Sequence, residues 1–228
     1  MNAEFDAVAK QYDEQLNRGL SLSGETKEYF ASERMKWLRR RLDASGVRPV
    51  RVLDFGCGTG TATPFFFEHL GIGELVGTDP SSESLALAAG EFANRYNVRF
   101  GMADDVAPGS VDLAFCNGVF HHILPCDRSS AFAQVYRALR SGGFFAFWEN
   151  NPWNPGTRWS MSRVPFDADA VVIAPGEGET LLRSAGFQPL FTDFLFYFPR
   201  CMAAFRPLEK HLVKLPLGGQ YLILAKKA

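Results

Sequence analysis

The feature of this sequence that most restricts its fold is an alternation of short apolar runs with helical stretches between residues 50 and 150. Apolar runs with β-branched or aromatic residues cover residues 50–55, 74–79, 97–103, 110–118 and 142–150. Stretches with helical spacing cover 61–71, 81–96 and 127–140, and another covers 26–42. This alternation predicts an α/β fold: an open, mostly parallel sheet with helices on both faces.

The rhythm changes after residue 150. Residues 150–179 are rich in Pro, Gly and Asn and show no sustained period, which predicts a long excursion with one irregular helix at most. A short helix near 179–187 and two strand-like stretches, at 187–200 and 218–228, follow. We expect those strands to form an antiparallel pair at one edge of the sheet. The chain is predicted to be one domain over residues 1–228, with an N-terminal cap at 1–25 and an inserted, substrate-side segment at 150–175.

Charge and cysteine content exclude several classes of function. The chain has 24 Lys and Arg against 25 Asp and Glu, so no net field draws it onto nucleic acid or an anionic membrane. A small, roughly neutral partner is favoured. The four cysteines form no CxxC pair, which argues against a metal site or a disulfide framework. The N-terminus lacks the apolar core of a signal peptide, so we expect a soluble cytoplasmic protein.

Three glycines follow the first predicted strand at every second position: Gly56, Gly58 and Gly60 in "VLDFGCGTG". Glycine allows unusual backbone dihedrals and lets a ligand touch the main chain. In an open α/β sheet, ligands bind at the carboxyl ends of the strands, where this loop lies. The loop is therefore predicted to bind a ligand through its backbone.

The spacing of neighbouring residues narrows the ligand. Asp79 ends the second predicted strand, 19 residues after Gly60, near the spacing at which an acid reaches a ribose. A dinucleotide fingerprint needs Gly or Ala at position 61, which is Thr61, and no Lys follows as in a phosphate-binding loop. An adenosyl ligand without a pyrophosphate fits best. Asp79 and Asp54 could also serve only as helix caps.

An ordered set of motifs carries a family resemblance. "VLDFGCGTG", "GTDPSSESL", "GMADD", "FCNGVFHHI" and "LRSGGFFAFWE" together resemble the class I S-adenosylmethionine-dependent methyltransferases, of the small-molecule type. The resemblance implies a Rossmann-like, doubly wound sheet of seven strands whose last strand is antiparallel. It also implies S-adenosylmethionine as cofactor and S-adenosylhomocysteine as product.

The resemblance assigns cofactor contacts by position. It puts the glycine loop under the methionine and ribose parts, an acid on the ribose, an acid near the adenine amino group and two residues beside the sulfonium. The corresponding residues are Asp54, Gly56, Cys57, Gly58 and Gly60; Asp79 and Pro80; Met102, Ala103 and Asp104; and Asn117 and Gly118. Asp104 could instead be part of a solvated turn, and Cys57 a packing residue.

Aromatic and histidine side chains complete the predicted site. The candidates to face the sulfonium cation are Tyr12, Phe120 and Trp148, and core packing is the alternative for each. Tyr12 lies in an N-terminal segment that resembles the segment closing over the cofactor in this family. His121 and His122 follow the fourth strand, and one of them is predicted to act as the catalytic base. Packing or a backbone hydrogen bond is the alternative for both histidines.

The methyl acceptor is predicted to be a small molecule, with O- or N-methylation favoured over C-methylation. We expect its pocket between the N-terminal segment, the 150–175 segment and the aromatic stretch around Phe196. Arginines and tryptophans in or near these parts indicate a planar or anionic acceptor. They are Trp153, Arg158, Trp159, Arg163 and Arg200. The sequence leaves the oligomeric state open.

Three rival functions are weighed against this prediction. "NNPW" is similar to the motif with which nucleic-acid amino-methyltransferases grip a base, but it follows the fifth predicted strand instead of the fourth. Thr61 argues against a nicotinamide oxidoreductase. A protein that binds the cofactor without catalysis stays open.

Overall fold

The computed structural model describes residues 23–164 and 169–228. Seven strands are found there: β1 (Arg51–Phe55), β2 (Glu74–Thr78), β3 (Val98–Gly101), β4 (Val111–Asn117), β5 (Leu139–Asn150), β6 (Phe187–Leu195) and β7 (Gln220–Lys227). They form one sheet in the order β3-β2-β1-β4-β5-β7-β6. β1 to β5 run parallel, whereas β7 is antiparallel to both β5 and β6. This confirms the predicted mixed sheet and places the antiparallel pair at one edge.

Helices cover the sheet. They are α1 (Lys27–Ala44), α2 (Thr63–Phe65), α3 (Ser82–Phe92), α4 (Arg128–Ala138), α5 (Pro155–Met161), α6 (Pro175–Ser184) and α7 (Glu209–Leu212). α2 continues as a π-helical turn, Phe66–Leu70, and 3-10 turns cover Ala103–Asp105, Phe120–His122 and Arg200–Leu208. α1 begins where the Thr26 hydroxyl accepts the N–H of Tyr29, which satisfies a backbone donor that the helix leaves unpaired.

The core consists of one apolar cluster on each face of the sheet. Val52 of β1 and Trp148 of β5 pack on the α1 side, while Leu53 and Phe147 pack on the α4 and α6 side. Successive side chains of a strand point to opposite faces. The two acids nearest the ends of these strands are therefore separated by the sheet: Asp54 is on the α1 face and Glu149 on the opposite face.

A buried carboxylate ties α1 to the antiparallel edge. The Asp193 side chain, in β6, is 1% exposed and accepts two hydrogen bonds from Arg41, at 2.5 and 2.7 Å. The indole N–H of Trp37 donates a third, at 3.0 Å. A bidentate guanidinium pair gives geometric specificity as well as energy. It fixes α1 against β6 and so holds the wall that α1 contributes to the site.

Several element boundaries differ from the predictions. β5 begins at Leu139 instead of residue 142, and α6 begins at Pro175, because proline suits the first turn of a helix. The described part of the 150–175 segment contains one short helix, α5, as the prediction of one irregular helix at most allowed. The link before β7 contains a 3-10 turn and α7, which were not predicted. Of the predicted N-terminal cap only residues 23–25 are described. Across residues 23–164 and 169–228, no helix combines the length and the apolarity that crossing a bilayer requires.

Candidate active site

Two cavities meet at the carboxyl ends of β1 and β4. The first, of about 500 Å³, lies against α1 and is called here the α1 cavity; the second, of about 480 Å³, lies against α4 and is called the α4 cavity. Volumes of this size suit small-molecule sites. Residues that line both cavities are Gly56, Gly58, Asn117, Gly118 and His122. One continuous ligand can therefore extend from one cavity into the other past these residues.

The three glycines of the loop after β1 have different roles. All three have positive φ, at 75°, 53° and 78°. A Cβ on Gly56 would lie 2.4 Å from a methyl of Val119, and a Cβ on Gly60 would meet Phe92 of α3. A Cβ on Gly58 would have nothing within 4 Å, because that position faces the cavities. Gly58 is thus the place where a ligand approaches bare backbone, whereas Gly60 allows α3 to pack closely and lines neither cavity.

Asp79 joins the glycine loop to the start of α3. Its Oδ2 accepts the Gly58 N–H at 2.9 Å, and its Oδ1 accepts the Ser81 N–H at 2.9 Å. The loop is also held by the Thr78 carbonyl, which accepts the N–H groups of Gly56 and Cys57. The carboxylate lines the α4 cavity, and an ionised carboxylate accepts several hydrogen bonds. This placement suits the predicted ribose contact.

The rest of the predicted adenosine side also lies along the α4 cavity. Pro80, Met102, Ala103 and Asp104 line it. The Asp104 carboxylate accepts a hydrogen bond from Gln134 of α4 at 3.1 Å, and its side chain is 80% exposed. It sits at the open rim of the cavity, where solvent competes for its oxygens.

The floor of the α1 cavity carries opposite charges. Asp54 is 3% exposed; burial, and then repulsion by Asp79, raise its pKa to about 7 although Arg34 acts in the opposite direction. Arg34 donates to the Gln220 side chain at 2.9 Å, and Gln220 donates to Asn150 at 3.0 Å. The floor therefore has a carboxylate and a guanidinium, as a zwitterionic amino-acid group would require.

A buried polar atom lies where the two cavities meet. Asn117 Oδ1 has no hydrogen-bond partner among the residues that the structure describes. Buried polar atoms are nearly always hydrogen-bonded, and an unpaired one needs an explanation such as a ligand or a water molecule. Asn117 lines both cavities. A donor on a bound cofactor would satisfy it, so these residues fit an adenosyl amino-acid ligand.

A buried histidine–carboxylate pair borders the α1 cavity. His121 is 3% exposed, and its Nδ1 lies 2.5 Å from Oε2 of Glu149, which is 1% exposed. The other Glu149 oxygen accepts the backbone N–H of Phe120 at 2.8 Å. A carboxylate on one ring nitrogen fixes the tautomer and stabilises the protonated ring. The His122 ring lies 4.1 Å from that of His121 and borders both cavities.

Aromatic rings form the outer wall of the α1 cavity. Phe196 has a φ of 66°, a conformation rare for a bulky residue, and its ring packs edge-on against Phe30 of α1 at 4.9 Å. Glu209 holds this backbone: its carboxylate accepts the N–H groups of residues 196, 197 and 198. The Arg206 guanidinium lies 4.6 Å from the Tyr29 ring, and burial raises the Tyr29 pKa to about 12. The hydrogen bonds from Glu209 therefore hold the strained backbone of this wall in place.

Some predicted site residues lie elsewhere. Phe120 is fully buried, with its ring 4.3 Å from Phe132, and Trp148 is also fully buried in the core. Both therefore follow the packing alternative. Tyr12 lies outside the described residues. The five arginines and tryptophans proposed for the acceptor pocket line neither cavity: Trp153, Arg158, Trp159, Arg163 and Arg200.

The structure adds site residues that the sequence patterns did not single out. Among the described residues, Arg34 and Arg206 are the guanidiniums in the lining of the α1 cavity, and Gln220 lies beside Arg34. Glu149 is the partner of His121. The position of Glu149 at the carboxyl end of β5 was a usable signal, because that edge of the sheet carries the ligands.

Comparison with known proteins shows that this chain is similar to methyltransferases. Residues 53–145 match a family described as a methyltransferase domain. A demethylmenaquinone methyltransferase from Thermus thermophilus is 31% identical over 171 residues, which cover 71% of each chain. A methyltransferase from Claviceps purpurea is 37% identical over 100 residues. This chain spans about a third of the length of the Claviceps protein and of a relative from Saccharomyces cerevisiae.

Solved structures share the fold. An S-adenosylmethionine-dependent methyltransferase from Thermotoga maritima has a TM-score of 0.66 at 20% identity over 100% of both chains. One from Archaeoglobus fulgidus has a TM-score of 0.61 at 18% identity and covers 85% of this chain and 94% of its own.

Proposed function

This chain belongs to the class I S-adenosylmethionine-dependent methyltransferase family, and on that premise we propose that it methylates a small molecule bound in the α1 cavity. The observation that carries the proposal is the His121–Glu149 pair beside the meeting point of the two cavities. A protein that only bound the cofactor would have no need of a buried, oriented imidazole there. The alternative of a non-catalytic binding protein is therefore disfavoured.

In this proposal residues of both cavities would hold the cofactor. Asp79 would bind its adenosine in the α4 cavity, and Asp54 and Arg34 would bind its amino-acid part in the α1 cavity. Three observations support this placement of the cofactor. Space is open over Gly58, Asn117 Oδ1 has no hydrogen-bond partner among the described residues, and the floor of the α1 cavity carries opposite charges. When bound, S-adenosylmethionine supplies an electrophilic methyl group on a sulfonium.

His121 is the proposed base for an oxygen or nitrogen acceptor. With its Nδ1–H held by Glu149, the ring presents Nε2 as the atom that can take a proton. Glu149 then stabilises the imidazolium that forms, and its burial keeps this interaction strong. Alignment of the acceptor by the walls of the α1 cavity supplies the other part of the rate acceleration.

The walls support an acceptor with a planar ring. Tyr29, Phe30, Phe196 and Phe198 line the α1 cavity, and flat rings pack well on aromatic faces. The relative from Thermus thermophilus is named for a demethylmenaquinone.

All four cysteines of the chain are free thiols, which supports a reducing, cytoplasmic location.

Transfer of labelled methyl from the cofactor into a metabolite extract tests the activity. Glu149→Gln should slow transfer by roughly 10- to 100-fold, because a hydrogen bond to a charged group contributes about 1.5 to 3 kcal/mol. Cofactor affinity, measured by calorimetry, should stay unchanged. Glu91→Gln, at an exposed ion pair on α3, is the matched control. Full activity of Glu149→Gln would rule out a base that depends on this carboxylate, and transfer into no fraction would favour a binding protein.

A further inference from the structure

Residues 200–217 expose a run of large apolar side chains, and we call them the 200–217 segment. The exposed side chains and their exposed fractions are Met202 (41%), Phe205 (50%), Leu208 (51%), Leu215 (48%) and Leu217 (59%). Single exposed apolar residues are normal on protein surfaces, but a group in one segment marks an interaction site.

The segment is anchored to the protein by its polar side chains. Arg206 donates to the Glu25 carboxylate at 2.8 Å, and Glu209 accepts the three backbone N–H groups of the aromatic wall. Residues three apart lie on nearly the same side of a 3-10 helix and of an α-helix. Arg206 and Glu209, the first residue of α7, therefore share the inner face, and Phe205 and Leu208 share an outer one. This is the reverse of an ordinary surface helix, which turns its polar side to water.

The exposed charges of the segment are cationic. Arg200 and Lys210 are exposed, and Lys214 is 64% exposed while its ammonium also binds Asp193. The sole acid of the segment is Glu209, which is partly buried and bonded to backbone. The whole chain carries a net charge of -1, so this local excess of cations is hidden by the overall composition.

We propose that the 200–217 segment docks on the surface of a lipid bilayer that contains anionic lipids. Apolar side chains that insert between headgroups, flanked by Lys and Arg, are how interfacial segments bind membranes. A second copy of the chain is a poorer partner, because a two-fold interface on this segment would set its cations against their own copies. The even charge of the whole chain favoured no membrane partner, but the composition of this segment differs from that average.

Docking would bring the α1 cavity to the membrane. Arg206 of the segment lines the α1 cavity, and so do Phe198 and Pro199, which come just before the segment. An acceptor dissolved in the bilayer could then enter the cavity without crossing water. This consequence rests on the proposed function, whereas the docking itself does not.

Co-sedimentation of the full chain with vesicles tests the proposal without cofactor or acceptor, so its outcome is independent of methyl transfer. Binding is expected to vesicles of phosphatidylcholine with phosphatidylglycerol, and to be weaker to phosphatidylcholine alone. Each Lys or Arg near an anionic surface contributes about fivefold to binding, so Arg200→Gln with Lys210→Gln should reduce it about 25-fold. Phe205→Ser with Leu208→Ser should reduce it at least tenfold on both vesicle types.

Matched controls lie near the opposite edge of the sheet. Arg95→Gln with Arg99→Gln, at two exposed cations, should bind as the unmodified chain does. Circular dichroism should show that every variant is folded. Equal binding by the segment variants and the controls, or no binding to anionic vesicles, would overturn the proposal. A dimer in sedimentation velocity that Phe205→Ser with Leu208→Ser dissociates, without vesicle binding, would assign the surface to a second copy instead.

Discussion

Asp54→Asn should stabilise the free protein at pH 8 while it weakens cofactor binding. The folded-state pKa of Asp54 is raised from 3.8 to about 7, by burial first and then by Asp79. Between these two values the unfolded chain loses a proton that the folded chain keeps. Stability therefore falls as pH rises through this window, and the full cost is present above the folded pKa.

The size of the effect follows from the pKa difference. About three units correspond to roughly 4 kcal/mol of native-state destabilisation above pH 7. About 2 to 3 kcal/mol of this should appear between pH 5 and pH 8. The assay is urea unfolding of the original chain and of Asp54→Asn at both pH values. The variant should gain stability relative to the original chain as pH rises.

Asp112→Asn provides a control at a carboxyl group whose pKa is shifted in the opposite direction. Burial raises the pKa of Asp112, but hydrogen bonds from the Arg51 N–H, Arg140 and the Val50 N–H outweigh it, so the pKa is lowered. Its contribution is stabilising above the unfolded-state pKa and lost only at lower pH, so the cost of Asp112→Asn should be nearly constant between pH 5 and pH 8. A pH-independent difference for Asp54→Asn as well would refute the buried-acid reasoning.

Cofactor binding gives a second measurement on the same variant. If the ionised Asp54 is the form that binds the cofactor's cationic group, S-adenosylhomocysteine affinity should fall about tenfold from pH 8 to pH 6. Calorimetry should show that Asp54→Asn binds more weakly at pH 8 and loses this pH dependence.

Two further predictions test the loop and the anchor of α1. Gly56→Ala should lower the free energy of unfolding by about 2 to 4 kcal/mol, because its Cβ meets Val119. Gly58→Ala should lower it by only about 1 to 2 kcal/mol, through backbone strain, but should weaken cofactor binding. Equal losses of stability would contradict this reading of the loop. Asp193→Ala should lower the free energy of unfolding by about 1 to 3 kcal/mol, because the partly buried Arg41 guanidinium and the Trp37 N–H lose their acceptor. A melting temperature within 2 °C or so of the original would show that this pair contributes little.

The parts that follow from local pattern were predictable from the sequence. β1 and its loop were found because an apolar run ends in glycines, and the order of the motifs gave the seven-stranded sheet. The His121 position followed from its place after β4. Its partner Glu149 is 28 residues away, and only the pairing of β4 with β5 brings the two together.

Phe120 shows why sequence neighbours do not share surroundings. Residues 120–122 form one 3-10 turn, in which successive side chains point about 120° apart. Phe120 is therefore directed into the core, while His121 and His122 border the cavities. The contact between Arg34 and Gln220 could not be predicted either, because it depends on how α1 lies across β7 and not on the helical pattern of α1 itself.

The position of β7 constrains how the growing chain can fold on the ribosome. β1 to β5 can pair as soon as residue 150 has emerged, but β7 lies between β5 and β6 and is translated after both. Until residues 220–227 leave the exit tunnel, the flank of β5 is an open edge, and such edges invite aggregation. Translation pauses or chaperones that act after residue 150 would therefore influence the yield of native protein more than those that act earlier.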